Sequence, residues 1–339
     1  MPAIVTPPQA DPLREALDYL RLSETAYYHS ELAGTWGLVM PENCPKFHFV
    51  TSGKCWLEID GARARVLEAG DFVVIPHGMG HRLASAQSAP STDWAYLRCE
   101  KISERYAMYR HGGRGPVTTI ICGDLNFNHP RARHLVALLP AAIHIHAEAN
   151  HSIEWLHGTM RFMAVEARKL RPGSEAIVTR LADILVIQAI RYWIEQNPSE
   201  QKGWLAALHD QHLSRALGLI HHEPGKNWTV ARLANAVGMS RSAFAARFST
   251  LVGEPIMQYI TRWRMHVAED HLREGTKTLE AIATELGYQS GAAFGRAFRR
   301  IVGFSPGSVR RATTAASGNR TSAHRFQVAT SSNARAAIA

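Results

Sequence analysis

Two histidines, His48 and His81, are the residues whose type and spacing first suggest chemistry. Neutral imidazole is the commonest protein ligand for a metal, so the pair could approach each other and bind one. A catalytic metal usually needs at least three protein ligands and an open position. His77 is a third candidate, but we expect its strand position to turn it elsewhere, and positions 50–55 contain no acid. We therefore predict no metal and no cofactor, with His81 hydrogen-bonded in a core.

Other reactive side chains form no recognisable site. The cysteines at positions 44, 55, 99 and 122 are too scattered for a disulfide framework or a CxxC metal site. We interpret those at 44, 55 and 122 as buried thiols rather than redox sensors. The pairs His144/His146 and His221/His222 have no acidic or cysteine neighbour at ligand spacing, so we predict no metal there. No Ser-His-Asp arrangement, carboxylate pair or phosphate-binding glycine loop indicates an enzyme.

The positive charge is concentrated toward one end of the chain. The net charge is +9, and residues 1–227 contribute nothing to it, because their acidic and basic residues balance. Residues 228–311 contribute +6 and residues 312–339 contribute +3. A basic surface either aids solubility or neutralises phosphates, which supplies most of the non-specific affinity of a DNA-binding protein. Charge leaves both readings open, and the sequence pattern has to decide between them.

Two stretches within the basic third repeat the same pattern, Thr229–Pro255 and Thr278–Pro306. Each begins with a threonine that can cap a helix, continues with an apolar pair, and reaches a glycine suited to a left-handed turn. A second helix follows, with two phenylalanines four residues apart that would fasten it to the first. Each repeat therefore predicts a helix-turn-helix, whose second helix can enter a major groove.

The segment between the repeats, Pro255–Leu272, has its apolar residues on one face of a single predicted helix. At ~1.5 Å per residue this helix would be ~25 Å long. A strut of this length could hold two reading helices roughly one DNA turn, ~34 Å, apart. The sequence therefore predicts two reading helices that enter successive major grooves on one side of the duplex.

The segment Trp228–Arg310 resembles the DNA-binding domain of AraC/XylS-type regulators. The signature of the second unit is present as Ala283, Leu286-Gly287-Tyr288, Ser290, Phe294, Arg296, Phe298-Arg299, Gly303 and Ser305-Pro306. The resemblance implies DNA contacts from the first reading helix at Ser240, Arg241, Ser242, Ala246 and Arg247. From the second it implies contacts at Gln289, Ser290, Gly291, Ala292, Arg296, Arg299 and Arg300. Ala245 and Ala246 leave the first helix few hydrogen-bonding groups.

The N-terminal half has a different texture, with short β-prone runs separated by turn residues. The predicted strands are Trp36–Val39, Phe47–Val50, Cys55–Ile59, Ala64–Leu67, Phe72–Ile75, Trp94–Arg98 and Val117–Cys122. Short strands at this spacing predict a small barrel or sandwich. The segment Gly70–His81 fits G-x5-P-x-G-x2-H, the second motif of cupin barrels, whereas the ligands of the first motif are largely missing.

The region 11–145 thus resembles the cupin-type sensor domains that are fused to AraC-type DNA-binding domains. The resemblance implies that this domain binds an effector or dimerises, and has no turnover. Candidate effector-binding residues on this basis are Trp36, His48, Trp56, His81 and Arg82.

These patterns predict an α+β chain of two domains, a cupin-like barrel with appended helices and an all-α double helix-turn-helix. We predict a flexible arm at 1–10, the sensor domain at 11–145, a helical dimerisation or connecting region at 146–223, the DNA-binding domain at 224–311 and a disordered tail at 312–339. Helices are expected at Ser152–Leu170, Ser174–Glu195 and Gly203–His221. The apolar stripe of the second is suited to a core or to a dimer interface.

Three hypotheses remain open at this point. The favoured one is a sequence-specific regulator, an activator by resemblance, with double-stranded DNA, RNA polymerase, a small effector and a second copy of the chain as partners. The alternatives are a metal-dependent, dioxygenase-like cupin enzyme with an accessory basic domain, and an architectural DNA binder without a ligand. No apolar run reaches the ~20 residues of a membrane span, and we see no secretory signal, so we expect a cytoplasmic, nucleoid-associated protein.

Overall fold

The structure is a computed structural model, and it describes residues 13, 14, 17, 20, 26–103, 105–125, 127, 129–147, 154–169 and 171–311. The predicted arm at 1–10 and tail at 312–339 lie outside these residues. The described part of the chain divides into two compact units, a barrel unit within 26–125 and 139–193 and a helical unit within 13–20, 127–138 and 194–311. The predicted two-domain α+β class is confirmed.

The barrel unit contains two β-sheets. Its strands are β1 (Tyr27–Ala33), β2 (Gly37–Met40), β3 (Lys46–Ser52), β4 (Lys54–Ile59), β5 (Arg65–Glu68), β6 (Phe72–Ile75), β7 (His81–Ala84), β8 (Thr92–Asp93), β9 (Cys99–Lys101), β10 (Tyr106–Gly112), β11 (Val117–Asp124) and β12 (Ile143–Ile145). One sheet has the order β12-β6-β3-β11-β1-β10-β9, and the other has the order β5-β4-β7-β2-β8. Apolar side chains from both sheets fill the space between them, as on β4, where Cys55, Leu57 and Ile59 alternate with outward residues.

The predicted strand at Trp94–Arg98 is wrong. Residues 94–96 form a short 3₁₀ helix, because the carboxylate of Asp93 accepts a hydrogen bond from the backbone N–H of Ala95 at 2.8 Å. Strands β1 and β10 were not predicted. They pair in parallel in the interior of the larger sheet, and β1 buries four successive residues. Such a strand shows no alternation of polar and apolar residues in the sequence.

A second 3₁₀ helix spans Pro198–Glu200, and ten α-helices carry most of the remaining described regular structure. They are α1 (Pro130–Val136), α2 (Glu154–Lys169), α3 (Ser174–Gln196), α4 (Trp204–Ala207), α5 (Gln211–His222), α6 (Val230–Ala236), α7 (Arg241–Val252), α8 (Ile256–Glu274), α9 (Leu279–Glu285) and α10 (Gly291–Val302). Helix α2 and nearly all of α3 belong to the barrel unit, and the others form the helical unit. None of the described helices is long and apolar enough to cross a membrane.

The single helix predicted at Gly203–His221 is two helices, α4 and α5. The chain breaks at Asp210, whose carboxylate accepts hydrogen bonds from the backbone N–H groups of His212 and Leu213 at 3.0 Å each and so begins α5. Helix α5 buries Leu213, Leu217 and Ile220 and therefore contributes to the core of the helical unit. The C-terminal segment of this compact unit begins at residue 194, upstream of the predicted domain boundary at 224.

Helix α1 interrupts the barrel strands in sequence but packs in the helical unit, against α8. Ala132 and Leu135 are fully buried there. The Arg133 guanidinium lies 2.7 Å from the Glu269 carboxylate, and the His129 imidazole lies 3.4 Å from Asp270. The chain therefore passes from one unit to the other and back around α1.

The turn glycines of the two repeats differ in how closely the neighbouring backbone packs against them. Gly238 and Gly287 both have a positive φ, +73° and +78°. A Cβ on Gly287 would lie 2.4 Å from the carbonyl oxygen of Gly225, whereas a Cβ on Gly238 would have nothing within 4 Å. Gly238→Ala should cost only the ~1–2 kcal/mol of a left-handed alanine. Gly287→Ala should cost more, since the backbone at residue 225 must also move. Urea unfolding of both variants measures the difference, and equal losses would contradict the close approach.

Candidate nucleic-acid interface

The two predicted helix-turn-helix units are present, formed by α6 with α7 and by α9 with α10. Thr229 and Thr278 cap the first helix of each unit by accepting hydrogen bonds from the backbone N–H groups of Arg232 and Ala281, both at 3.2 Å. The second helices carry four fully buried phenylalanines: Phe244, Phe248, Phe294 and Phe298. Burial of these rings fixes one face of α7 and of α10 inward, so that the opposite face is presented to solvent.

The outward face of α10 is strongly basic. Ala292, Arg296, Arg299 and Arg300 are all exposed. Each of the other three lies three or four residues from Arg296, which places them on one side of the helix. Gln289 is exposed in the preceding turn, and the helix itself contains no acidic residue. This face can donate hydrogen bonds to base edges and can neutralise phosphates.

The outward face of α7 is less polar, as the sequence indicated. Arg241, Ser242 and Ala246 are exposed on it. Arg247 forms an ion pair with Asp210 at the start of α5, so this arginine also anchors the reading helix within the unit. Burial on its own would raise the pKa of Asp210, but the Leu213 N–H and the Arg247 guanidinium outweigh it and lower that pKa.

The two serines that precede the reading helices act as N-caps. The hydroxyl of Ser240 accepts a hydrogen bond from Ala243 N–H at 3.3 Å, and that of Ser290 accepts one from Ala293 N–H at 3.2 Å. Both hydroxyls therefore have a structural partner within the protein. Gly291 is partly buried, and a Cβ at this position would lie 2.7 Å from a carboxylate oxygen of Glu280.

The strut α8 lies between the two helix-turn-helix units. It also binds the segment that leads into the first helix-turn-helix. It has 19 residues, or ~28 Å at ~1.5 Å per residue. Arg264, midway along it, donates hydrogen bonds to the carbonyl oxygens of Pro224 at 2.7 Å and Lys226 at 2.9 Å. Sequence reasoning missed Asp210 and Arg264 as positioning residues, because nothing local in the sequence indicates their distant partners.

The histidines of the barrel form a hydrogen-bonded chain in its core. His81 Nδ1 lies 2.9 Å from the Met79 carbonyl oxygen, which only accepts, so this nitrogen carries the proton. His81 Nε2 then accepts from His48 Nε2–H at 2.8 Å, and His48 Nδ1 accepts from the Cys122 thiol at 3.0 Å. Burial lowers the pKa of both imidazoles, that of His81 to about 4, so both are neutral at pH 7.

The hydrogen bonds of His48 and His81 show whether a catalytic metal of the cupin type could bind to these histidines. All four ring nitrogens of His48 and His81 are engaged by uncharged partners, and no carboxylate takes part. The side chain of His77 is exposed and bonds to the Leu139 carbonyl oxygen at 2.9 Å, so it does not join them. The donor set therefore does not fit such a metal.

The structure does not bring the five candidate effector residues together in one site. Trp36, His48 and His81 are buried in the barrel, whereas Trp56 lies on the outward side of β4. Arg82 holds a loop: its guanidinium contacts Glu58 at 2.9 Å and Ser91 at 2.7 Å and bonds to backbone carbonyls of residues 87 and 89.

A cavity of about 170 Å³ lies elsewhere in the barrel unit, between the ends of β1 and β10 and the helices α2 and α3. Its apolar wall includes Ile102, Ala167 and Val178, and its rim carries Arg171 and Glu175. None of the five predicted effector residues lines it. Its residues come from two strands, two helices and the loops beside them, and they are spread over positions 27–178, so no motif indicated it.

The histidine pair His144/His146 also differs from the sequence-based expectation. We expected no acidic residue near these histidines, but the fold brings Asp71 to them, with His144 Nε2 3.0 Å from Asp71 Oδ2. The two residues are 73 positions apart in the chain, so local spacing gave no sign of the contact.

Comparisons with known proteins agree with this architecture. A cupin family model matches residues 11–195, and a helix-turn-helix domain model matches residues 233–312. An AraC-like transcription regulator of Streptomyces antibioticus is 32% identical over 307 residues, which cover 89% of this chain and 98% of that protein. The transcriptional regulator AlkR of Acinetobacter baylyi is 30% identical, with 87% of this chain and 97% of that protein covered.

A solved structure is similar over the C-terminal part. The DNA-binding domain of AdpA, in complex with a target DNA, is 27% identical and covers 31% of this chain and 95% of that domain, with a TM-score of 0.30. The matches to the two regulators extend over most of both chains. The chain therefore belongs to the AraC-like family of transcription regulators, and the predicted DNA-binding regulator, rather than an enzyme, is confirmed.

Proposed function

We propose that this regulator reads a specific DNA sequence by placing α7 and α10 in successive major grooves on one side of the duplex. The observation that carries the proposal is the basic outward face of α10, which the buried Phe294 and Phe298 hold in a fixed orientation. A second helix-turn-helix at the other end of the strut α8 supports a two-groove arrangement.

Under this proposal, the exposed side chains of the reading helices have two roles. Arg296 and Gln289, at the N-terminal half of α10 and in the turn before it, contact base edges, because that end of a recognition helix enters the groove. Arg299 and Arg300 contact phosphates. In the first unit Arg241 and Ser242 make the polar contacts, while Ala246 offers only a methyl group. Sequence reading therefore rests mainly on the second unit.

Arg296→Ala should weaken binding to the cognate site by ~1–3 kcal/mol and leave the fold intact, because the side chain is exposed. It should change non-specific binding much less. Arg299→Ala is the matched comparison from the same helix, and it should weaken specific and non-specific binding alike. Binding curves on the cognate duplex and on a scrambled duplex measure both effects. An Arg296→Ala variant that keeps its full preference for the cognate site would remove this residue from base reading.

The barrel unit, in our proposal, senses a small effector in the cavity between the barrel and α2 and α3. The mostly apolar wall of this cavity, with Ile102, Ala167 and Val178, favours a small apolar molecule with at most one or two polar groups. Thermal-shift screening of such compounds tests the proposal, with Val178→Trp as the variant that fills the cavity. Compounds that raise the melting temperature of both proteins equally would place the effector elsewhere.

We further propose that α2 and α3 form a homodimer interface. Each helix exposes two apolar side chains: Phe162 is 51% exposed and Val165 36% on α2, and Ile177 is 39% exposed and Ile184 45% on α3. Ile177 and Ile184 are seven residues apart and lie on one helix face. Exposed apolar side chains spaced along one face of a helix are typical of association sites.

Ile184→Glu should shift the protein from dimer to monomer, because a charge would be buried without a partner in the interface. Met257→Glu is a matched control, since Met257 is also an apolar side chain, 42% exposed, but lies on α8 of the helical unit. Sedimentation velocity of the two variants and the parent protein over a range of concentrations measures the effect. A parent that is monomeric throughout, or an Ile184→Glu variant that still dimerises, would contradict the proposed interface.

The regulator would act in the cytoplasm at the nucleoid and activate transcription through RNA polymerase. Its relative RclR of Escherichia coli, 28% identical over 267 residues, is a transcriptional activator, which supports this direction. In vitro transcription from a promoter that contains the cognate site tests it. More transcript in the presence of the protein supports activation, and less transcript contradicts it.

A further inference from the structure

Three potential metal ligands meet at the edge of the larger sheet of the barrel unit. Strand β12 is the outermost strand, and its antiparallel register with β6 pairs His144 with Val73 and Ile145 with Phe72. One step further along this register, His146 lies opposite Asp71. Because side chains alternate across a strand, the side chains of residues 144, 146 and 71 share one face of the β6–β12 pair.

The contacts among the three residues agree with this register. His144 Nε2 is 3.0 Å from Asp71 Oδ2, and the ring centroids of His144 and His146 are 3.8 Å apart. One ligand atom from each of the three residues lies within 4.8 Å of the others. Asp71 and the side chain of His144 are buried, while His146 is exposed. The cluster thus has a rigid inner part and one side open to solvent.

We propose that Asp71, His144 and His146 bind a divalent transition-metal ion, with Zn²⁺ the best match. Two imidazoles and one carboxylate are typical ligands of Zn²⁺, whereas Mg²⁺ and Ca²⁺ prefer oxygen ligands throughout. In tetrahedral coordination the ligand atoms lie ~3.3 Å apart, given bonds of about 2.0–2.2 Å. Closure from the observed spacing needs a small movement, which the exposed His146 is free to make. Water completes the coordination from the solvent side.

Backbone groups prepare the carboxylate for this role. Asp71 Oδ1 accepts a hydrogen bond from Ala147 N–H at 2.8 Å, and Oδ2 accepts one from Glu68 N–H at 3.0 Å. Such outer hydrogen bonds orient a ligating carboxylate and strengthen a metal site. They leave a lone pair of the carboxylate for the ion, because its two oxygens together offer about four acceptor positions. In the metal-bound form, His144 is the neutral tautomer with its proton on Nδ1, so that Nε2 presents its lone pair to the ion.

A metal at this position would fasten the short edge strand β12 to the turn that precedes β6. The three residues of β12 pair only with β6 among the described strands, so this strand has few other constraints. Binding to the folded state alone would therefore stabilise the barrel unit. This role is separate from the His48–His81 chain, which lies within the barrel core and belongs to a different set of contacts.

Metal titration of the full-length protein tests the proposal. The protein is stripped with a chelator, dialysed, and titrated with Zn²⁺ against a chromophoric competitor, and Co²⁺ is used in parallel because its visible spectrum reports tetrahedral coordination. His146→Ala is the main variant, since this exposed side chain can be removed without disturbing a core. His222→Ala, which removes an exposed histidine at the end of α5, is the matched control.

We expect the parent and His222→Ala proteins to bind Zn²⁺ with the same affinity, and His146→Ala to bind at least tenfold more weakly and to lose the tetrahedral Co²⁺ spectrum. Zn²⁺ should also raise the melting temperature of the parent more than that of His146→Ala. Equal affinity in the parent and in His146→Ala would overturn the proposal. So would no binding by a folded parent protein, and the contact between Asp71 and His144 would then be a structural hydrogen bond only.

Discussion

The burial of four phenylalanine rings is the interaction on which the DNA-binding half depends. Phe244 and Phe248 fasten α7, and Phe294 and Phe298 fasten α10, with no exposed surface on any of the four. Phe248 also packs edge-on against Tyr259 of the strut, with ring centroids 5.6 Å apart. Since removal of such a ring costs roughly 3–5 kcal/mol, these contacts leave each reading helix a single stable orientation. The arginines of α10 face outward because the opposite side of the helix is held in place.

The strut α8 connects the two helix-turn-helix units through packing and hydrogen bonds. Its Trp263 stacks on His221 of α5, with ring centroids 3.7 Å apart and an angle of 11° between the planes, and His221 Nε2 lies 2.7 Å from the Tyr259 hydroxyl. Arg264 binds the chain before the first unit, and Glu269 binds Arg133 of α1. Helix α8 thus contacts both helix-turn-helix units, and it also contacts α5 and α1.

The features of this fold that could be predicted from the sequence are those with a regular spacing of residue types. The two repeats, their capping threonines and their turn glycines were found because each is a local pattern with a defined spacing. Strand β1 was missed because its first four residues are all buried, so they show no alternation of polar and apolar residues. Contacts between residues that are distant in the sequence were also missed, because they leave no local pattern. Arg247 was recognised as a reading-helix residue, but its ion pair with Asp210 depends on tertiary packing, as does the contact between Asp71 and His144.

The central claim, two reading helices in successive major grooves, is tested most directly by methylation interference at guanine N7 on a genomic site selected with the purified full-length protein. The N7 atom lies in the major groove, so its methylation blocks a contact there. The account predicts two groups of interfering guanines separated by about one helical turn, ~10 base pairs, on one face of the duplex. A single group, or two groups on opposite faces, would contradict it.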